Sequence, residues 1–249
     1  MAVPQINSSK YMVQAGWEHV PHIDEQTQAE LLENTPPHLR DVRSKGTPSL
    51  GAGAIYPIEQ SEFMVDPFSI PSHFAKGYGF DVGWNRTAAI FGAWDRDNDV
   101  TYLYTEHYRG QAEPSVHAEA VRARGDWLIG AIDPASRGRS QKDGEQLLYN
   151  YRELGLNLQI ANNAVEAGIL EVFQLLSTGR LKVFRTCQNW LNEHRIYRRD
   201  EKGRIVKAFD HLMDATRYLV LARANIMRTK PAIQRPVEGF AVADRNGGY

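Results

Sequence analysis

A single cysteine, Cys187, stands in a chain of 249 residues. That excludes an intramolecular disulfide framework and any cysteine-rich zinc site, and it fits a reducing cytoplasm. Long apolar runs are missing too. The stretch from Tyr218 to Ala222 is among the longest, far below the ~20 residues that a membrane-spanning helix needs. The opening Met-Ala-Val-Pro-Gln lacks the basic-then-apolar pattern of a secretory signal. No Gly-x-x-x-x-Gly-Lys-Ser/Thr phosphate loop occurs, and Gly138-Arg-Ser-Gln-Lys142 is not one, so this polypeptide is not expected to hydrolyse ATP. Net charge is absent as well: 29 Lys and Arg face 30 Asp and Glu, for a total of -1. Taken as a sum, that argues against a nucleic-acid partner, but a sum says nothing about where the charges sit.

What is present is an ordinary globular balance, 42% hydrophobic and 24% charged, with enough length for a sizeable core in one large domain or one domain plus an attached segment. Residues 1–62 read as an arm or linker. Asp24 caps a short helix that Pro36-Pro37 stops, and a Gly-, Pro- and Ser-rich stretch at 45–54 follows. Residues 63–230 form the expected folded domain, and 231–249 an irregular tail. Within the domain, 78–82, 87–94 and 100–109 are β-forming segments joined by tight loops, an antiparallel three-strand meander. Helix 113–124, strand 127–132, helix 144–154, strand 156–160, an amphipathic helix around 165–176, a hairpin over 196–206 turning at Gly203, and a last helix over 211–227 complete the reading. A meander followed by crossovers is an α/β fold, a mixed sheet of the RNase H-like pattern with parallel strands added and helices flanking.

Three acids sit where that sheet would place a ligand. Asp81 ends the first strand in Gly79-Phe80-Asp81-Val82-Gly83, and Asp133 ends another in Ala131-Ile132-Asp133-Pro134. Carboxyl ends of strands in open α/β sheets are ligand sites. On the last helix, Asp210 and Asp214 share a face with Arg217, while Leu212, Ala215 and Leu219 share the face that packs on the sheet. Carboxylates from separated segments suit a pair of Mg²⁺ ions, which take hard oxygen ligands and complete their shells with water and phosphate. Two such ions stabilise both the attacking and the leaving oxygen of a phosphodiester displacement. Each residue also has a plainer reading. Asp81 and Asp133 could be turn or cap residues, Asp210 the N-cap of the last helix, Asp214 a partner for Arg217, and Glu106 a solvated strand residue rather than a neighbour of the site.

Positive charge is concentrated in two places. Arg180, Lys182, Arg185, Arg195, Arg198, Arg199, Lys202, Arg204 and Lys207 fall within 180–207, against only Glu193, Asp200 and Glu201. Arg137, Arg139 and Lys142 lie in the loop after Asp133. Both segments flank the acids in sequence, and backbone phosphates are the expected partner, with a solvated hairpin edge as the alternative. Trp190 and Tyr197 are expected in the core. His117, His194 and His211 have no demanded role, since metal-assisted hydrolysis needs no histidine base, though His211 adjoins Asp210 and could orient a phosphate or carboxylate.

The segments around Asp81 and Asp133, with Asp210-His-Leu-Met-Asp214-Ala-Thr-Arg217-Tyr218, resemble the nuclease motifs of the large terminase of tailed bacteriophages. The resemblance extends to Pro36-Pro-His-Leu-Arg-Asp41 and Gly46-Thr-Pro-Ser-Leu-Gly51 and covers about residues 17–225. It implies an RNase H-like endonuclease that cuts concatemeric viral DNA with two Mg²⁺ or Mn²⁺. Asp81, Asp133 and Asp214 would be the ligands, Asp210 an alternative helix ligand, and Asp143, His211 and Glu106 auxiliary candidates. It also implies double-stranded phage DNA, a portal and a small terminase subunit as partners, in the cytoplasm of an infected host, and 5′-phosphate with 3′-hydroxyl products. The length fits a nuclease plus linker without the packaging ATPase. The rivals are another RNase H-like nuclease of resolvase or transposase type, and a non-catalytic module that docks on DNA or the portal.

Overall fold

The computed structural model describes residues 5–7, 10–12, 16–17, 24–33, 44, 53–134, 144–200 and 202–231. Near the start, β1 (Gln5–Asn7) and β2 (Lys10–Met12) pair antiparallel. The expected cap at Asp24 is present: its carboxylate accepts the Thr27 N–H at 2.7 Å at the head of α1 (Glu25–Glu33).

The domain is a seven-stranded mixed sheet. Helix α2 (Gln60–Phe63) leads into β3 (Met64–Val65), and β4 (Ala75–Asp81), β5 (Thr87–Asp95) and β6 (Val100–Arg109) follow as the meander. Then come α3 (Pro114–Arg122), β7 (Ile129–Ile132), α4 (Gly144–Glu153), β8 (Asn157–Ile160), α5 (Val165–Ser177), β9 (Leu181–Phe184), α6 (Gln188–Ile196) and α7 (His211–Ile226). The strand order is β3-β9-β6-β5-β4-β7-β8, with β7 parallel to β4 and β8, and β9 parallel to β6 and β3. The meander and the two crossover strands match the sequence reading. Strand β9, the short β3 and helix α6 are additions, and the 196–206 hairpin is reduced to a bridge between Arg199 and Ile205.

Period-2 alternation divides the core in two. Tyr78, Phe80, Ala89, Phe91 and Ile132 face α3 and α4, packing with Val121, Leu148 and Tyr151. Ala75, Ala88, Ile90, Leu103 and Ala131 face α5, α6 and α7, packing with Val172, Leu175, Trp190, Leu212, Ala215 and Leu219. Tyr56 joins this second cluster, so residues just after 53 are docked on the sheet. Helix α7 crosses the centre of the sheet at unusually close range. A Cβ on Gly79 would stand 1.8 Å from the Ala215 carbonyl oxygen, and one on Gly92 2.8 Å from Leu219 Cδ2. Glycine in these strands is therefore the device that seats the helix. No helix among the described residues is long and apolar enough to cross a membrane.

Candidate active site

Gly79 and Asp81 are two residues apart on β4 and so point to the same face of the sheet, the one that carries α7. The close approach at Gly79 therefore delivers the first turn of α7 to the end of β4. The neighbouring strand ends in step, because the Asp133 N–H donates to the Phe80 carbonyl at 3.0 Å. Asp81 and Asp133 thus stand at the carboxyl ends of adjacent parallel strands, with Asp214 in the first turn of the helix above them. Asp210 occupies the N-cap position, yet its side chain makes no capping hydrogen bond. The cap comes from elsewhere: Glu193 Oε2 accepts the Leu212 N–H at 2.6 Å, while Glu193 Oε1 accepts the Tyr108 hydroxyl at 2.6 Å.

Each acid is held by a partner from the chain itself. His211 Nδ1 lies 2.8 Å from Asp81 Oδ2. Arg217 donates to Asp214 Oδ1 at 2.8 Å, and Lys207 Nζ reaches Asp214 Oδ2 at 3.1 Å and Asp210 Oδ2 at 3.0 Å. The Tyr218 hydroxyl donates to Asp133 Oδ1 at 3.1 Å. Burial pushes the Asp81 carboxyl up to about 6, the Asp214 and Asp133 charges add to the rise, and the His211 contact opposes it. The Tyr218 phenol is pushed well above its usual range by burial and then by Asp133, Asp214 and Asp81 together. The hydrogen bond to Asp81 raises the His211 imidazole against the effect of its burial. Burial lowers the Lys207 ammonium, and Asp214 and Asp210 outweigh it, for a net rise. The three acids expected from the sequence therefore share one electrostatic neighbourhood, with Asp210 beside Asp214 across Lys207. A cleft of about 330 Å³ opens on it, lined by Asp81, Gly83, Arg86, Lys207, Phe209, Asp210, His211 and Asp214 among others.

Among the described residues, no three His, Cys, Asp or Glu side chains converge closely enough to hold a metal ion in this arrangement. The donor set still suits a hard divalent cation. It consists of carboxylate oxygens, with Asp81 held against its ionisation by burial, and Asp210 and Asp214 share Lys207, whose side chain is 62% exposed, while Arg217 holds the other Asp214 oxygen.

Other expected site residues are dispersed. Glu106 is not with the acids: it accepts the Asn189 and Trp190 N–H groups at 2.9 and 3.0 Å and so caps α6. Arg199 is paired with Glu166 at 2.6 Å and Arg204 with Asp200 at 3.0 Å. Arg195 donates to Gln60, Arg198 lies half-buried, and Lys202 is exposed. Arg137, Arg139, Lys142 and Asp143 lie outside the described residues. Trp190 and Tyr197 are buried, as expected, and His194 is buried beside Trp190. His117 is buried and bonds His107 at 2.8 Å. Sequence reasoning missed Tyr218 and Glu193. The first is legible as a polar-tipped residue one helical turn beyond Asp214, but nothing local in the sequence marks Glu193.

A meander with parallel strands on both sides, acids at two adjacent strand ends and a further acid on the closing helix define an RNase H-like protein. A family model described as a terminase RNaseH-like domain matches residues 78–223. The nuclease domain of the P22 large terminase is 34% identical, with a TM-score of 0.67 over 72% of this chain and 96% of that one. The chain belongs to the terminase RNase H-like nuclease family. The terminase large subunit of Salmonella phage P22 is 33% identical over 228 residues, covering 87% of this chain and 45% of that protein. The chain therefore spans under half the length of that curated relative. The large terminase of a thermophilic bacteriophage shares the fold at 20% identity and a TM-score of 0.59, covering 82% of this chain and 54% of that one. The large terminase nuclease of thermophilic phage G20c, in a structure with bound magnesium, shares it at 14% identity and a TM-score of 0.50, covering 70% of this chain and 98% of that one.

Proposed function

We propose that this chain is the DNA-cutting part of a terminase large subunit, a metal-dependent endonuclease that cleaves concatemeric double-stranded phage DNA during packaging. The observation that carries the reading is the placement of Asp81 and Asp133 at the ends of two adjacent parallel strands, with Asp214 in the first turn of the helix packed closely on them. Such a concentration of carboxylates raises its own energy unless a cation joins it. Asp81, Asp133 and Asp214 would hold two Mg²⁺ or Mn²⁺, with Asp210 joining once Lys207 moves away.

When bound, the cations supply Lewis acidity to the attacking water and to the departing 3′ oxygen. The chain's own groups set the geometry. Tyr218 fixes the Asp133 rotamer by donating to Oδ1, and the buried Arg217 fixes Asp214 by the same means, leaving Asp214 Oδ2 on the side of the exposed Lys207. His211 holds Asp81 Oδ2. Lys207, displaced from the carboxylates, and Arg86 can take phosphate oxygens on the cleft side. The products carry 5′-phosphate and 3′-hydroxyl ends. Portal and small-subunit contacts in the host cytoplasm belong to the same proposal.

Supercoiled plasmid incubated with Mn²⁺, Mg²⁺ or EDTA tests it. Nicking is expected with the metals, absent in EDTA, and lost in Asp81→Asn and Asp214→Asn. Unchanged nicking by Asp81→Asn overturns the three-acid site. Cutting of branched junctions in preference to linear duplex would instead assign the chain to the resolvase-type nucleases, and metal-independent DNA binding without cutting would make it a docking module.

A further inference from the structure

The two most exposed large aromatic side chains among the described residues belong to the two chain segments that line the acidic cleft. Phe209 lines it and is 61% exposed; Trp84, 63% exposed, sits between Gly83 and Arg86, both of which line it. Neither ring packs into either core cluster. Large apolar groups are normally withdrawn from water, and two left exposed on segments that line one cleft point to a contact surface.

Both are presented by constrained backbone. Phe209 has φ of 56°, a left-handed conformation that a bulky side chain rarely adopts. Its ring is left exposed beside the cleft, outside both core clusters and immediately before Asp210. The loop that carries Trp84 is pinned at both sides. The Thr87 hydroxyl donates to the Gly83 carbonyl at 3.0 Å, and the Gln111 N–H donates to the Trp84 carbonyl at 2.8 Å. A Cβ on Gly110 would stand 2.0 Å from the Asn85 carbonyl oxygen, so two loops are pressed together beside Trp84. The same cleft carries two cations, Arg86, whose guanidinium lies over the Tyr108 ring at 4.4 Å, and the exposed Lys207, which is paired with Asp210 and Asp214. Aromatic faces interspersed with cations are the recognition chemistry of an unpaired nucleotide strand, in which bases stack and phosphates are neutralised. A paired duplex keeps its base faces against each other and offers these rings only its edges.

We propose that Trp84 and Phe209 form a stacking platform for unpaired bases beside the acidic site, so that the strand to be cut is held locally melted. The inference rests on the nuclease reading for its purpose, but the platform binds nucleic acid whether or not cutting occurs. Base–aromatic stacking is sequence-tolerant, so the platform selects for strand separation and not for a particular sequence.

The test is binding in EDTA, where cleavage plays no part, measured by fluorescence anisotropy with a labelled single-stranded oligonucleotide and with the same sequence as a blunt duplex. Trp84→Ala and Phe209→Gly are each expected to weaken single-strand binding about tenfold and duplex binding by clearly less. Trp84→Phe and Phe209→Tyr should retain binding close to that of the unaltered chain. Phe209→Gly should melt at or above the unaltered protein, because glycine accommodates the positive φ, so weakened binding with an undiminished melting temperature separates contact from misfolding. Tryptophan fluorescence should fall on adding the single strand and fall much less in Trp84→Phe. Equal losses for single strand and duplex, or no loss in either the alanine or the glycine variant, overturn the platform. Absence of metal-dependent nicking alongside intact aromatic-dependent single-strand binding would refute the nuclease reading and leave the platform standing.

Discussion

Burial and two like-charged neighbours hold the Asp81 carboxyl near 6 instead of its ordinary value of 3.8. The unfolded chain releases that proton at lower pH than the folded one, so stability falls as pH rises from about 4 to 6 and stays reduced above. A cation in the cleft removes the penalty. Asp81→Asn cannot ionise, so in EDTA at pH 8 it is expected to melt at or above the unaltered protein, while losing metal-dependent cutting; a clearly lower melting temperature would show that the charged carboxylate stabilises the apo fold. Lys207 is the natural counterpart. It now neutralises Asp210 and Asp214, so Lys207→Ala should lower the melting temperature in EDTA and enlarge the rise on adding Mn²⁺, because ligand binding to the folded state stabilises by mass action. Differential scanning fluorimetry across a Mn²⁺ series reads both effects.

At the scale of elements, the placement of the site depends on how closely α7 lies on β4. Gly79→Ala would drive a Cβ against the Ala215 backbone, an overpacking that neither neighbour relieves by rotating, and a loss of about 3 kcal/mol or more is expected. Gly203→Ala is the contrast: nothing lies within 4 Å of the added Cβ and only its φ of 75° is unfavourable, so a loss of about 1 kcal/mol is expected. Urea denaturation of the two variants separates close packing from backbone strain. Legibility in the sequence divides along the same line between local and long-range contacts. The meander was legible from alternation and turn residues, and so were the strand-end positions of Asp81 and Asp133 and the helix-face position of Asp214. Strand β9 escaped because it is four residues long with Lys182 in the middle, and α6 because it buries Glu193 and His194 and so breaks the expected apolar pattern. Glu106 carried no local sign that it would cap α6 from a strand more than eighty residues away, and the Glu193 cap on α7 was hidden for the same reason. Long-range hydrogen bonds leave no spacing in the sequence.

For the whole molecule, two histidines, His194 buried and His107 half-buried, act with pH in the opposite direction to Asp81. Burial, with Arg195 nearby, lowers His194 to about 3, and burial, with His117, Arg124 and Arg109, lowers His107 to about 4. Both stay neutral in the fold while the unfolded chain takes up protons near 6.5, so stability is lost as pH falls from about 6.5 towards 4. A melting-temperature profile in EDTA should therefore decline on the acid side, and His194→Leu should decline less steeply there. The near-zero net charge also acquires a meaning, since the acids that cancel the basic 180–207 region include those gathered at the cleft, where divalent cations would reverse the local sign. The central claim is that strand-end Asp81 and Asp133 and helix-borne Asp214 act as one divalent-cation site. Isothermal titration of Mn²⁺ into the metal-free chain tests it most directly: saturable binding that is abolished by Asp81→Asn and by Asp214→Asn is the predicted result, and binding unchanged in either variant, or none in the unaltered chain, would contradict it.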